Sequence, residues 1–182
     1  MIISHKHKFI FIKTKKTAGT SIEIALSKIC GLNDVITPTP NDKTAEFYRS
    51  KLGIDPKNYL KPFKEFSIID WKIFLRTLNK EKTTYKFYNH ISAYELKKIL
   101  KPEIWDNYFK FCFERNPYDK AVSFYFYHLK VHNLSQEDLT FESFLKEKNY
   151  YRNFHRYSIN GEIAVDFVGK HENLKGDLAY TL

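Results

Sequence analysis

No stretch of this 182-residue chain approaches the ~18 consecutive apolar residues that a membrane span needs. The opening Met-Ile-Ile-Ser-His-Lys-His-Lys lacks the apolar core of a secretory signal and leads straight into a strand pattern. A cytoplasmic protein is therefore expected. Cysteine is scarce: Cys30 and Cys112 each sit in an apolar pattern, which excludes a disulfide framework and predicts two reduced, buried thiols. The chain has no internal repeat, low-complexity tract or linker, so one domain over residues 1–182 is expected. It has no Arg-rich segment, and the Gly-x-x-x-x-Gly-Lys-[Ser/Thr] order of a Walker A loop is missing.

What is abundant is positive charge and aromatic rings. Thirty basic residues against 21 acidic ones give a net charge of +9, which predicts an anionic partner without naming it. Lys6, Lys8, Lys13, Lys15 and Lys16 all precede the first acidic residue, Glu23, so the positive field is concentrated near the N-terminus. The 16 Phe and 13 Tyr fall mostly in apolar strand and helix patterns, which assigns them to core packing.

A strand is expected over residues 8–13, where Phe9, Ile10, Phe11 and Ile12 form a short continuous apolar run, as in a parallel strand covered on both faces. Ile22, Ala25, Leu26, Ile29 and Cys30 then share one helical face; Thr20 and Glu23 have capping-box spacing, and Gly31 supplies a stop. Residues 33–82, broken by Pro38, Pro40, Pro56 and Pro62, are expected to be a variable insertion on the acceptor side. Within them the pattern predicts a helix over 43–51, a strand over 66–70 and a helix over 71–78. A strand over 83–89 ending at His90 is followed by a capping box, Ser92 and Glu95, and by a helix that Pro102 closes. A strand over 108–114 ends at Arg115, and Asn116-Pro117 opens a helix reaching about Val131. A short helix over 140–148, a tight turn at Asn160-Gly161 and a last strand over 163–168 complete the pattern. The alternation predicts an α/β fold, a mainly parallel central sheet flanked by helices. In such folds ligands sit beyond the carboxyl ends of the strands, and three such ends carry the Lys-rich loop, His90 and Arg115.

The loop Lys16-Thr17-Ala18-Gly19-Thr20-Ser21 has the order strand, loop, helix N-terminus, which suits phosphate: free N–H groups, a mobile charge, hydroxyl donors and a glycine for close approach. An ordinary capped helix after a loop would look similar. Arg115, at a strand end beside a helix N-terminus, suits a bidentate phosphate clamp with Ser123 adding a hydroxyl; a surface Arg–Asp pair is the plain alternative.

Lys16-Thr17-Ala18-Gly19-Thr20-Ser21 resembles the 5′-phosphosulfate loop of the sulfotransferases that use 3′-phosphoadenylyl sulfate (PAPS). It is closest to the branch acting on carbohydrates and related hydroxyl acceptors. The segment from Phe113 to Tyr125, with Arg115-Asn116-Pro117-Tyr118-Asp119-Lys120 at its centre, resembles that family's 3′-phosphate motif. Residues 165–174, and His90-Ile91-Ser92-Ala93, are similar to two further family segments. Lys15 stands where the family usually has proline, and Glu114 where it often has valine. The chain stops at Leu182, where relatives commonly add another helix. The resemblance implies a P-loop-NTPase-like sulfotransferase fold, PAPS as donor, no metal, and a small-molecule or saccharide acceptor. It assigns the 5′-phosphosulfate to Lys16, Thr17, Ala18, Gly19, Thr20 and Ser21, and the 3′-phosphate to Arg115 and Ser123. Lys16 and His90 become the catalytic candidates. His90 as general base has an alternative as a residue capping the next helix, and Glu23, Asp70, Glu114 and His128 are other possible bases.

Two other classes compete. An ATP-dependent P-loop kinase would use Phe66-Ser67-Ile68-Ile69-Asp70 or Ile163-Ala164-Val165-Asp166 as a Mg²⁺-holding strand end, but it lacks its Walker A loop. A catalytically inactive PAPS-binding or nucleic-acid-binding protein is the other; nucleic acid is disfavoured because the rings lie in core patterns.

Overall fold

The computed structural model describes residues 1–39, 43–79, 85–147 and 152–182. Its five-stranded sheet is built around β2 (Phe9–Phe11) and β4 (Phe109–Glu114), which pair in parallel with Phe11 opposite Phe111. β7 (Phe167–Lys170) extends β4 in parallel. On the other side β1 (Ile2–Ser4) runs antiparallel to both β2 and β3 (Val35–Ile36), giving the order β3-β1-β2-β4-β7.

Four of the five strands point one way, but two of the four pairings are antiparallel, so the sheet is mixed. The reason is β1. Its three residues, Ile2, Ile3 and Ser4, are too few to show a period, and the turn at residues 5–8 folds them back on β2.

The continuous apolar run does serve two faces. Ile10, Ile12 and Cys112 pack with Leu96 of α4 (Ala93–Ile99), Trp105 of α5 (Pro102–Asn107) and Tyr157. Phe9, Phe11, Phe111 and Phe113 pack on the opposite face with Ile22 and Leu26 of α1 (Gly19–Ser27) and Leu174 and Leu178 of α9 (Leu174–Tyr180). Each fully buried ring contributes ~1.5–3 kcal/mol of transfer free energy. Gly169 lets β7 lie against Phe113, whose ring stands 2.5 Å from where a Cβ would be. Cys112 is buried and Cys30 half-buried; both are free, and burial pushes both thiols up, Cys30 to about 12.

Helix signals with a local chemical cause hold. The expected 43–51 segment is α2 (Lys43–Lys51). Asn116 accepts a hydrogen bond from the Tyr118 N–H and opens α6 (Pro117–His132), and Thr140 caps α7 (Phe141–Lys146). Ser92 and Glu95 form the expected capping box of α4, and Pro102, expected only to close it, also opens α5 as its first residue.

Several expectations fail. Residues 66–70 are not a strand: Ser67 and Asp70 make a reciprocal capping box, and α3 (Ile68–Thr77) starts there. Of the strand expected over 83–89, residues 83 and 84 lie outside the described residues. The rest form a turn with one isolated bridge, Tyr85 to Leu60. Pro40 and Lys148 also lie outside them. Thr20 and Glu23 are not a capping box; the residue before α1 is Ala18, in the left-handed region with no side-chain cap. α1 ends at Ser27, short of Gly31. The strand expected over 163–168 is divided. Asn160-Gly161 turns β5 (Ser158–Ile159) onto β6 (Glu162–Ile163), and β7 begins only at Phe167 after Asp166 bonds the Lys110 backbone. α8 (Phe154–Tyr157), one turn, precedes that hairpin. Among the described residues no helix is long and apolar enough to cross a membrane.

Candidate active site

The carboxyl ends of β2 and β4 open on the same edge of the sheet. Leaving β2, the Ile12 N–H bonds the Phe111 carbonyl at 2.9 Å and the Thr14 hydroxyl bonds that of Phe113, so the loop follows β4 to within two residues of Arg115. The loop then bends sharply: Lys16 (φ +63°) and Ala18 (φ +59°) are both left-handed without being glycine. Such residues are held at a cost of ~1–3 kcal/mol each by their surroundings. α1 begins immediately, and its first intrahelical bond runs from the Ile22 N–H to the Ala18 carbonyl at 3.1 Å. The N–H groups of Gly19, Thr20 and Ser21 are therefore the unpaired donors of the first turn, at the positive end of the helix.

Lys16 reaches toward α6 from this loop, within the electrostatic influence of Arg115. The Lys16 ammonium lies 4.1 Å from the centre of the Tyr127 ring on α6. Tyr127 is four residues beyond Ser123 and shares its helix face. Burial, and next the Arg115 guanidinium, hold the Lys16 ammonium below its ordinary pKa. Arg115 keeps a buried Nε with no hydrogen-bond partner among the described residues. Glu172, after β7, fixes the start of α6 by accepting the Asn116 N–H at 2.7 Å.

The remaining loop residues divide. Thr17 is buried and its hydroxyl is engaged internally, 2.8 Å from that of Thr14. Thr20 is half-buried and Ser21 exposed. Gly19 has a structural duty, since a Cβ there would lie 2.7 Å from Lys13 Cγ and 3.3 Å from the Thr14 carbonyl.

His90 reaches the same edge, though not from a strand end. It sits in a turn with φ +62°, and its Nδ1 is 3.0 Å from the Lys13 carbonyl. That oxygen only accepts, so Nδ1 carries the proton and Nε2 keeps its lone pair. Burial first, then the cationic Lys13 and Arg156, outweigh the bond to the Lys13 carbonyl and push the imidazole down to about 4. The ring is neutral at pH 7. The helix cap next to it is made by Ser92 and Glu95 without His90.

The other expected bases are occupied. Glu23 is fully buried, bonded to Lys13 at 2.6 Å, to Arg49 Nη2 at 3.0 Å and to the Met1 ammonium. Burial would raise its carboxyl, but the Met1 ammonium, Lys13 and Arg49 reverse this and hold it at about 2. Asp70 serves its capping box and Lys61, and Glu114 pairs with Lys120 at 2.9 Å. His128 lies on α6 against Phe144 and His132.

Two residues absent from the sequence reading join these parts. The Asn153 side-chain amide accepts the Lys15 N–H and donates to the Lys15 carbonyl, both at 2.9 Å, and also reaches Glu114 at 3.4 Å. One turn later Arg156 donates to the His90 carbonyl. Burial and Arg156 lower the Lys15 ammonium, and burial, Arg156 and Lys15 lower His155, so the cations Lys15 and Arg156 share one neighbourhood in which His155 is neutral at pH 7. Only the departure from proline at Lys15 hinted at this side of the loop.

An uncharacterized protein from Archaeoglobus fulgidus is 36% identical over 92 residues, covering 48% of this chain and 75% of that protein. No solved structure matches this chain. The model of the sulfotransferase family matches residues 1–182, the whole chain. The Lys16 loop, the Arg115 helix start and the His90 turn thus lie within one matched domain, and the chain belongs to the sulfotransferase family.

Proposed function

We propose that this chain transfers a sulfuryl group from PAPS to a hydroxyl group of a carbohydrate or related metabolite. The observation that carries this reading is the Lys16 ammonium lying over the Tyr127 ring of α6, the helix that Arg115 precedes and that bears Ser123, with the Arg115 guanidinium, after burial, among the causes that lower its pKa. A Lys16 ammonium held below its ordinary pKa and a buried Arg115 Nε with no hydrogen-bond partner among the described residues form a setting that anions complete. A donor with phosphates at both its 5′ and 3′ positions suits this pair of clamps, each charge-assisted bond being worth ~1.5–3 kcal/mol.

In this reading the first-turn N–H groups of Gly19, Thr20 and Ser21 hold the 5′ end, and Arg115 with Ser123 holds the 3′-phosphate. The donor supplies the activated sulfuryl group. His90 Nε2 accepts the proton of the acceptor hydroxyl while that oxygen bonds sulfur and the sulfur–oxygen bond to phosphate breaks. Lys16, turned from Tyr127, balances the charge gained by the departing phosphate. A bound anion offsets the repulsion from Lys13 and Arg156, raising His90 toward a more effective range. Arg156, bonded to the His90 carbonyl, and the nearby Lys15 favour an acceptor that is itself negatively charged. Of the expected acceptor-side region 33–82, residues 40–42 and 80–82 lie outside the described residues; the remainder would form its wall, since the Tyr59 carbonyl bonds the N–H groups of Lys86 and Phe87, both at 3.0 Å, just before His90.

The kinase reading loses support at both of its acidic strand ends. Asp70 caps a helix, and Asp166 bonds the Lys110 N–H at 2.7 Å and its ammonium at 3.0 Å. The test is transfer of labelled sulfuryl from PAPS to a panel of saccharides with EDTA present. The native chain should transfer label, and His90→Ala should lower kcat by ~10²–10⁴ while binding 3′-phosphoadenosine 5′-phosphate unchanged. Transfer by His90→Ala at the native rate removes His90 from the mechanism, and metal-dependent ATP turnover instead of sulfuryl transfer overturns the reading.

A further inference from the structure

Helix α3 carries its apolar residues outward. Its inner side is anchored, because buried Asp70 takes Lys61 at 3.1 Å and Phe74 meets Phe63, Phe66 and Trp71 with ring centres 5.2, 6.2 and 6.1 Å away. Its outer side presents Ile68 and Leu75, with Leu78 just past the helix end, exposed by 77%, 67% and 79%. Ile69 and Trp71 are exposed beside them. A helix of a free soluble domain turns such residues inward, and a contiguous patch of this kind marks an interaction surface.

The charges on this face have one sign. Lys72 and Arg76 lie on the exposed arc, one turn from Ile68 and Lys72 respectively, and exposed Lys64 sits in the 3₁₀ turn Phe63–Glu65 just before the helix. Asp70 faces inward, and Glu65 is paired with Lys86 at 2.7 Å. Among the described residues no carboxylate pairs with Lys72 or Arg76.

The geometry points to α3 and the turn before it as a face that lies on an anionic lipid bilayer, its apolar side chains entering the headgroup–acyl boundary. The surface is a projecting helix rather than a groove, and Trp71 together with long cationic side chains matches the composition of helices that lie in that plane. Self-association across a two-fold axis is disfavoured, since it would set Lys72 and Arg76 against their own copies. Phospholipid headgroups supply the opposite charge on every side. The contact is peripheral, since no described helix is long and apolar enough to span.

Flotation of the full chain with vesicles tests this. Vesicles of phosphatidylcholine with about one third phosphatidylserine should carry the protein, and vesicles of phosphatidylcholine alone should carry little. Each cation at an anionic surface contributes on the order of 5-fold in affinity, so Lys72→Gln/Arg76→Gln should weaken binding by about 25-fold. Ile68→Ser/Leu75→Ser should abolish it while the thermal melt stays as in the native chain. Lys97→Gln/Lys98→Gln, on exposed positions of α4, separates a local face from the general +9 charge and should leave binding intact. Failure of the native chain to bind phosphatidylserine vesicles overturns the proposal. So does equal loss in the α4 variant, or a dimer broken by Leu75→Ser without any vesicle binding.

Discussion

Glu23 offers the sharpest perturbation, because it was a candidate base and the structure makes it the centre of a buried ion cluster. Its side chain is 0% exposed, as is that of Arg49, and that of Lys13 is 4% exposed. Glu23→Ala leaves Lys13 and Arg49 buried without their shared anion. Breaking a buried pair by removing one partner costs ~3–5 kcal/mol, far more than the pair contributes against an apolar replacement. For a domain of this size 1 kcal/mol moves Tm by ~2–4 °C, so Glu23→Ala should melt ~6–20 °C lower. The pH dependence has a definite sign. The folded carboxyl stands at about 2 against 4.5 ordinarily, so its contribution is fully present above about 4.5 and is lost as pH falls through about 2. The difference between native and Glu23→Ala should therefore be widest at neutral pH and shrink in acid, read by circular dichroism melts across pH 2 to 7. A Tm change below ~3 °C at pH 7, coupled with loss of turnover, would refute the reasoning and return Glu23 to the list of bases.

Asn153→Ala removes two hydrogen bonds from the Lys15 backbone, ~0.5–1.5 kcal/mol each, and frees the bend that carries Lys16. It should weaken binding of 3′-phosphoadenosine 5′-phosphate by about 10-fold or more in calorimetry, and unchanged affinity would remove Asn153 from the site's support. His90, at about 4 when folded against 6.5 ordinarily, takes up its proton more readily in the unfolded chain. Stability should consequently fall as pH drops from about 6.5 to about 4, by on the order of 3 kcal/mol, and level off below. An imidazole resonance titrating near 6.5 in the folded protein would contradict that burial.

What the sequence disclosed was chemistry that acts over a few residues. Asn116-Pro117 opens α6, Ser92 and Glu95 cap α4, and the run at residues 9–12 fills both faces of the sheet, because cap spacing and continuous apolarity are local properties. Ser67 and Asp70 were equally local, yet the apolar Phe66, Ile68 and Ile69 outweighed their cap spacing and produced a false strand. What stayed hidden is long-range. Asn153 meets Lys15 across 138 positions, Arg49 meets Glu23 across 26, and β1 is defined only by the strand it folds back upon. His90 was placed at the right edge for a different reason: a bond to the Lys13 carbonyl holds it there rather than the end of a strand.

The central claim is that two phosphate clamps, Lys16 with the α1 N-terminus and Arg115 with Ser123, act on one donor. The direct measurement is thermal stabilisation by 3′-phosphoadenosine 5′-phosphate against ADP, in the native chain and in Arg115→Ala. At a ligand concentration 100 times Kd the stabilisation is ~2.7 kcal/mol, or a rise of ~5–10 °C. The account predicts that rise for the 3′-phosphorylated ligand in the native chain, little for ADP, and no difference between the two ligands in Arg115→Ala. Equal shifts for both ligands in the native chain would contradict it.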